Sequence, residues 1–477
     1  MLEKIFKLKE NNTTARTEII AGLTTFMTMA YIIALNPNLL TGFGKDTMPE
    51  LWNGVFLATC IASAIGTIVM AFLANKPFAM APGMGLNSFF AVVVTNIVAL
   101  TGMTYVASFQ AALCIVLVEG IVFLILSVLN IREKIVDAIP LGVRLGIAPA
   151  IGLMLLNIGV GSNAGIYSEN GGPFYAMRDF FGALTPSLAK TNMGSGYSAM
   201  VLSVVTMFVG LFAIVVLAQR GVKGAVLLGM LIASIIYWAG EAIFLGTNPF
   251  ASLATASFVP AFGDMASTTL FKFNFQGFAQ IGWFTAITLI VTFCIIDMFD
   301  TIGTLVGTAS RAGMLDKDGK MPNMKQALLS DAVGTLAGSV TGTSTVTTFV
   351  ESASGVAEGG RTGLTSLVAG VLFALSLLLS PIFLAIPSFA TAPALIVVGY
   401  LMLTSVTKID FNDMTEAIPC FIAIIAMPFM YSISEGISMG VISYVVINVI
   451  TGKAKEKKIS LLMYILAVLF ILKYIFI

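Results

Sequence analysis

Apolar residues run along this chain in blocks of roughly 20, separated by short polar stretches, which is the length of a helix that crosses a bilayer core and too long for a membrane barrel strand. The blocks predict spans near 18–40, 53–74, 78–99, 105–129, 140–160, 197–218, 222–245, 283–308, 326–343, 344–358, 363–387, 391–406, 415–432 and 434–451. A further apolar stretch, 459–477, follows a basic linker, and the pattern leaves open whether it crosses again or lies along the surface. The first block is long, lacks a small-residue cleavage site and runs into Pro37 and a loop, so it reads as a span and not as a cleaved leader.

Charge gives the blocks an orientation. With a cytoplasmic N-terminus, most Lys and Arg fall in the cytoplasmic segments, among them Lys4, Arg16, Lys76, Arg132, Arg220, Lys325, Arg361 and Lys453. Only Lys45, Arg178, Lys190 and Lys272 fall on the opposite side. One wrong span would invert every later loop, so this asymmetry supports fourteen crossings up to Thr451. Two external loops, 161–196 and 246–282, are rich in Gly, Ser, Asn and aromatics and suit packed caps. The Asp-Lys-Asp-Gly turn in the cytoplasmic loop 309–325 lacks the later ligands of a calcium loop.

Composition agrees with lipid as the solvent: 58% of the 477 residues are apolar and 10% charged, against about 25% charged in a soluble domain. A net charge of +1 leaves no basic stripe for a nucleic acid. The cysteines Cys60, Cys114, Cys294 and Cys420 have no metal-ligand spacing, and no metal site or cofactor is expected. There is no histidine, so proton chemistry near neutral pH falls to carboxylates.

Fourteen spans divide into seven plus seven, and the halves echo each other: Ala148-Pro149-Ala150 opens the fifth span and Ala392-Pro393-Ala394 the twelfth. Because seven is odd, the repeat would be inverted in the membrane. The third and tenth spans are interrupted at matching places. Residues 77–90 carry Pro82, Gly83 and Gly85, and residues 338–355 are dense in Thr, Ser and Gly. Proline removes a donor, hydroxyl-rich β-branched stretches suit extended backbone, and irregular backbone at membrane depth must line protein or a cavity. Gly and Ser that merely permit close helix packing are the plainer explanation for either stretch alone.

Acids deep in the spans are few: Glu119, Asp297, Asp300 and Glu351, each costing roughly 2.5–3.5 kcal/mol at the bilayer centre. Asp297 and Asp300 are three apart on one helix, Glu351 follows the threonine-rich stretch, and such carboxylates can share a proton and accept N–H donors from a planar heterocycle. Each can instead cap or bond a neighbouring helix, and Glu119 has no motif to set against that. Asn87 offers a donor and an acceptor at the other break, or a local turn bond. Thr24, Thr25 and Thr28 can line the same cavity or bond back to their own helix.

The segments TARTEIIAGLTTFMTMAYIIALNP, APGMGLNSFF, DMFDTIGTLVG and TSTVTTFVESASGVAEGGRTGLTS resemble the AzgA-like adenine/guanine/hypoxanthine permeases of the nucleobase–cation symporters, over essentially the whole chain. The resemblance implies an all-α polytopic fold of fourteen spans in a seven-plus-seven inverted repeat, with strand-like breaks in spans 3 and 10. A core domain (1–130 and 283–388) would slide against a gate domain (131–282 and 389–452), and 453–477 would add a basic linker and C-terminal hydrophobic helix. It implies proton-coupled uptake of purine nucleobases across the cytoplasmic membrane, with sodium left open as the coupling ion and a homodimer left open as the assembly. Asp300 and Glu351 match the substrate-holding acids, and Asp297 and Asn87 match further purine-site positions. Asp297, Asp300 and Glu351 would also handle the coupling proton. Thr304 stands where the uracil branch has histidine, so a relay through that position does not carry over. The rival readings are a sulfate-like anion carrier of the same fold, which would want a neutral or cationic centre, and an intramembrane aspartyl protease, which needs aspartates on two helices.

Overall fold

The computed structural model describes residues 2–129, 132, 141–163, 196–248, 250, 258–311, 314, 321–430 and 433–476. The Asp-Lys-Asp-Gly turn and most of the external loop 161–196, with Arg178 and Lys190, lie outside them. Among the described residues, nine helices are long and apolar enough to cross a membrane, and shorter apolar helices cover Leu145–Gly161, Met414–Met430, Glu435–Ile450 and Leu461–Leu472.

The first expected span is two helices, α1 (Ala15–Met29) and α2 (Ile32–Leu40). Thr14 caps α1 by accepting from the Thr17 N–H. Then come α3 (Pro49–Val69), β1 (Met80–Pro82), α4 (Met84–Thr101) and α5 (Tyr105–Val128), followed by α6 (Leu141–Ile158), α7 (Gly196–Gln219) and α8 (Ala225–Gly240). The second half holds α9 (Trp283–Arg311), α10 (Met324–Thr341), β2 (Val346–Thr348), the short α11 (Ser352–Ala357) and α12 (Gly363–Leu375). It ends with α13 (Ala392–Leu403), α14 (Met414–Met430), α15 (Ile433–Ile450) and α16 (Leu461–Phe476). The terminal α16 packs on α15 and on α9.

Both interrupted stretches become strands and meet. β1 and β2 pair antiparallel, with Met80 opposite Thr348, Ala81 opposite Thr347 and Pro82 opposite Val346. A two-stranded ribbon has two open edges, and in a bilayer each edge needs partners. Thr67 of α3 closes one: its hydroxyl accepts from the Met80 N–H at 2.9 Å and is 3.0 Å from the Met80 carbonyl. Thr335 of α10 reaches the Val346 carbonyl at 3.4 Å on the other. Small residues make room for the ribbon; a Cβ at Gly338 would sit 2.4 Å from the Ser344 carbonyl oxygen.

Two polar contacts outside the ribbon fix neighbouring elements. Glu18, fully buried on α1, accepts from the N–H groups of Arg361, Thr362 and Thr365 and from the Thr365 hydroxyl at 2.6 Å, capping α12. At the turn between α7 and α8, Lys223 pairs with Glu358 just past α11. Next to it Gly224 packs so closely that a Cβ would lie 3.1 Å from the Met27 carbonyl oxygen of α1.

Candidate functional site

The ribbon brings α9 and the start of α11 to one place. Gly83 closes β1, bonding from its N–H to the Thr345 carbonyl at 3.1 Å, and α4 starts one residue later. A Cβ at Gly83 would stand 2.6 Å from Thr347 Cγ2 and 3.3 Å from Asp300 Oδ2, so glycine is what lets the aspartate of α9 approach the strand ends. Asp300 is partly exposed, and among the described residues no side chain donates a hydrogen bond to it. It lies within electrostatic reach of Glu351 and of Asp331.

Glu351, also partly exposed, sits at the position preceding α11. The Tyr31 hydroxyl, from the break between α1 and α2, donates to its Oε1 at 2.7 Å. Its carbonyl accepts from Ser354, whose hydroxyl is 2.9 Å from that of Thr28. One oxygen of Glu351 is therefore anchored, and among the described residues no other side chain donates to this carboxylate. Thr25 and Thr28 bond back to carbonyls of α1, so their hydroxyls are spent on the helix and, for Thr28, on Ser354.

Asn87 and Asp297 lie elsewhere, fully buried. The Asn87 amide donates to the Pro82 carbonyl at 3.0 Å and its oxygen accepts from Ser344, so it staples α4 to the segment before β2. Asp297 Oδ1 lies 3.0 Å from the Thr301 hydroxyl, and the carboxyl group faces Arg132 at 4.0 Å. Three residues of separation carry Asp297 and Asp300 to different neighbours: one faces α5 and α10, the other the strand ends.

Sequence reasoning missed part of this. Nothing in the local sequence singles out Tyr31; its role comes from the break between α1 and α2. Arg132 reads from position alone as a cytoplasmic surface charge. The structure buries it to 1% exposure, stacked 3.9 Å from the Phe123 ring and paired with Asp331 at 2.8 Å. The signal available was Asp331 itself, an acid within the expected span 326–343. Among the described residues no group of acids, cysteines or histidines has the arrangement of a metal site.

Comparison with known proteins decides the family. The profile described as "Permease family" (Xan_ur_permease) matches residues 16–439. The chain belongs to this family. The permease is 38% identical to the adenine permease AdeP of Escherichia coli over 479 residues, covering 100% of this chain and 96% of the relative. It is also 38% identical to the guanine/hypoxanthine permease PbuG of Bacillus subtilis over 480 residues, covering 100% of both chains. The expected resemblance to adenine and guanine/hypoxanthine permeases thus holds over the full length, and these relatives are permeases, not enzymes. The fold is also similar to that of the transmembrane domain of the cyanobacterial bicarbonate transporter BicA, with TM-score 0.59, 13% identity, and coverage of 89% of this chain and 97% of that one. Against SLC26A9 the TM-score is 0.62 at 12% identity, with coverage of 91% of this chain and 65% of that one. At such identity these two describe the fold alone. The permease is a multi-pass helical membrane protein.

Proposed function

We propose that this permease imports purine nucleobases, with hypoxanthine, guanine and adenine as the candidates, together with a proton across the cytoplasmic membrane. One observation carries the reading: two carboxylates from different elements, Asp300 and Glu351, lie beside a strand pair, and among the described residues Asp300 takes no side-chain donor and Glu351 only that of Tyr31. A planar heterocycle with adjacent ring N–H groups is the complement of such a pair, and buried hydrogen bonds to charged groups contribute about 1.5–3 kcal/mol each. The relatives named as adenine and guanine/hypoxanthine permeases support the substrate class. An anion would meet two carboxylates and be repelled, so the sulfate-like alternative is not favoured.

In this reading Asp300 and Glu351 take ring N–H bonds. Asn87 acts through the backbone it staples, and Asp297 belongs with the proton and not with the ring. A proton on the acids Asp297, Asp300 and Glu351 lowers the cost of carrying charge through the membrane. Fourteen spans in two inverted sevens, with the N-terminus cytoplasmic, would let a core of spans 1–4 and 8–11 slide against a gate of spans 5–7 and 12–14. The β1–β2 pairing supports this division, because it joins spans 3 and 10 into one unit.

The test is uptake of radiolabelled hypoxanthine by purified protein in liposomes, competed by guanine, adenine, xanthine and uracil, across pH and with or without sodium. Purines are expected to compete, uracil to fail, and an inward proton gradient to drive accumulation. Asp300→Asn and Glu351→Gln are each expected to lower affinity by roughly 10–100-fold, the equivalent of one charge-assisted bond. Full proton-driven uptake by both variants would remove the site assignment.

A further inference from the structure

Behind the strand pair lies a second polar centre, separate from the partly exposed face of Asp300 and Glu351. It gathers Glu119 of α5, Arg132, Asp297 and Thr301 of α9 and Asp331 of α10, none more than 1% exposed. Thr345 and Thr347 close it from the strand side, the Thr345 hydroxyl donating to Glu119 Oε2 at 2.8 Å. Cys294 and Asp300 are the other titratable groups that feel its charge.

Counting protons in this centre leaves one contact unexplained. Thr301 Oγ1 lies 3.0 Å from Asp297 Oδ1, 2.9 Å from Asp331 Oδ1 and 2.6 Å from Thr347 Oγ1. A hydroxyl has one hydrogen and two acceptor positions. Thr301 and Thr347 together bring two hydrogens to three oxygen–oxygen contacts, and a hydrogen on a carboxyl group supplies the third. Asp331 is ion-paired with Arg132 at 2.8 Å, while Asp297 is 4.0 Å from the same guanidinium nitrogen. Asp297 is thus the group that carries it. An independent observation agrees that the acids of this centre are short of donors. Among the described residues, Glu119 Oε1 and Asp297 Oδ2 are buried with no hydrogen-bond partner, and the one unused donor beside them, Arg132 Nε–H, reaches neither. Among the described residues three carboxyl groups share a single guanidinium, and unbalanced buried charge is strongly destabilising.

We propose that the coupling proton resides on Asp297, bridged to Asp331 by the Thr301 hydroxyl, with Arg132 holding Asp331 ionised so that the two acids are not equivalent. This rests on the proton-coupled reading above and locates the proton behind the strands, away from the substrate face. Binding adds H⁺ to the Asp297 carboxylate and release returns it; no other bond changes. When the proton leaves, Thr301 can donate to only one of the two carboxylates, so its contact with the other opens and Thr347, bonded to the same hydroxyl, is drawn into the change. Thr347 is on β2, its methyl group packs at Gly83, and β2 runs within three residues of Glu351. Thr301 is therefore a positioning residue that links protonation to the shape of the substrate face.

The experiment compares Thr301→Val, with the smaller Thr301→Ala in case valine does not pack, and Thr301→Ser. Purified proteins in liposomes are assayed for hypoxanthine accumulation against external pH and for hypoxanthine exchange with no gradient; binding is read by thermal shift. Val and Ala are expected to bind and exchange within about threefold of wild type, with accumulation reduced at least tenfold and its pH dependence flattened. Ser is expected to restore both. A wild-type pH profile in Val or Ala overturns the proposal. So does loss of binding in both, because Thr301 would then serve the substrate site or the fold. If the wild-type protein itself shows no proton-driven accumulation, the failure lies with proton coupling as such and not with the place assigned to the proton.

Discussion

At the scale of single residues, the permease is governed by what is allowed next to the strand ends. Asp300 approaches β1 only because Gly83 has no side chain there. Gly83→Ala puts a methyl group against Thr347 and the Asp300 carboxylate, and overpacking of this kind costs about 1–3 kcal/mol. The expected result is a raised KM for hypoxanthine together with a lower melting temperature in detergent, measured by uptake and by thermal unfolding. A KM unchanged from wild type would mean that Asp300 is not held by this approach. The residues that violate the composition were legible in the sequence, since an acid in an apolar block is visible without a structure. Their partners were not. Tyr31 and Arg132 are ordinary residues by type, and only the folding of distant segments brings them to Glu351 and Asp331; Thr301 lies one helical turn from Asp297 but meets Asp331 only in the fold.

At the scale of elements, polar side chains replace the water that helix and strand ends would otherwise use. Glu18 serves four donors at the start of α12, and its own burial is tolerated for that reason. Glu18→Ala leaves those donors unpaired, at about 1–3 kcal/mol for a buried unsatisfied group. A clear fall in detergent melting temperature is expected; Glu18→Gln, which keeps an acceptor, should lose less. If Ala and Gln melt alike, the hydrogen bonds are not the cause. The two strands were legible as places where helix is disfavoured, because Pro82 and the threonine-rich run break the pattern. Their register was not, because pairing between residues more than 260 positions apart leaves no local trace. The split of the first span at Ala30–Tyr31 was equally hidden, because no proline or glycine marks it in the sequence.

At the scale of the whole molecule, ion pairs at the ends of spans tie distant parts together. In the basic linker before α16, Lys457 pairs with Asp413 and lies 3.2 Å from Glu416. The hydrogen bond from Lys457 holds the Asp413 carboxyl well below its usual range, and the same bond raises Lys457. A carboxyl depressed in the folded state adds stability above its ordinary pKa, near 3.9, and loses it as pH falls through the depressed value. The tether is thus expected to hold from about pH 5 upward, until deprotonation of Lys457 above its ordinary range of about 10.4. Tryptic cleavage in the linker at neutral pH should be slow in wild type and several-fold faster in Asp413→Asn, with little change in the melting temperature, since a partly exposed surface pair contributes only about 1 kcal/mol. Equal cleavage rates would show that the pair does not restrain the linker.

The pair between Lys223 and Glu358 has a different consequence, because it lies between the parts proposed to slide past each other. An exposed pair is a poor lock, yet ions in the surrounding solution screen it over a Debye length of about 8 Å at physiological strength. In the proposed orientation and division, the permease is therefore expected to respond to salinity. Raising potassium chloride on the side of this contact, the cytoplasmic one in that orientation, should speed exchange by weakening it. Glu358→Gln should begin at the faster rate and respond less to added salt, and an equal salt response in both proteins would assign that sensitivity to other charges. Osmotic stress concentrates cytoplasmic salt, so the same contact would make nucleobase traffic rise when a cell loses water.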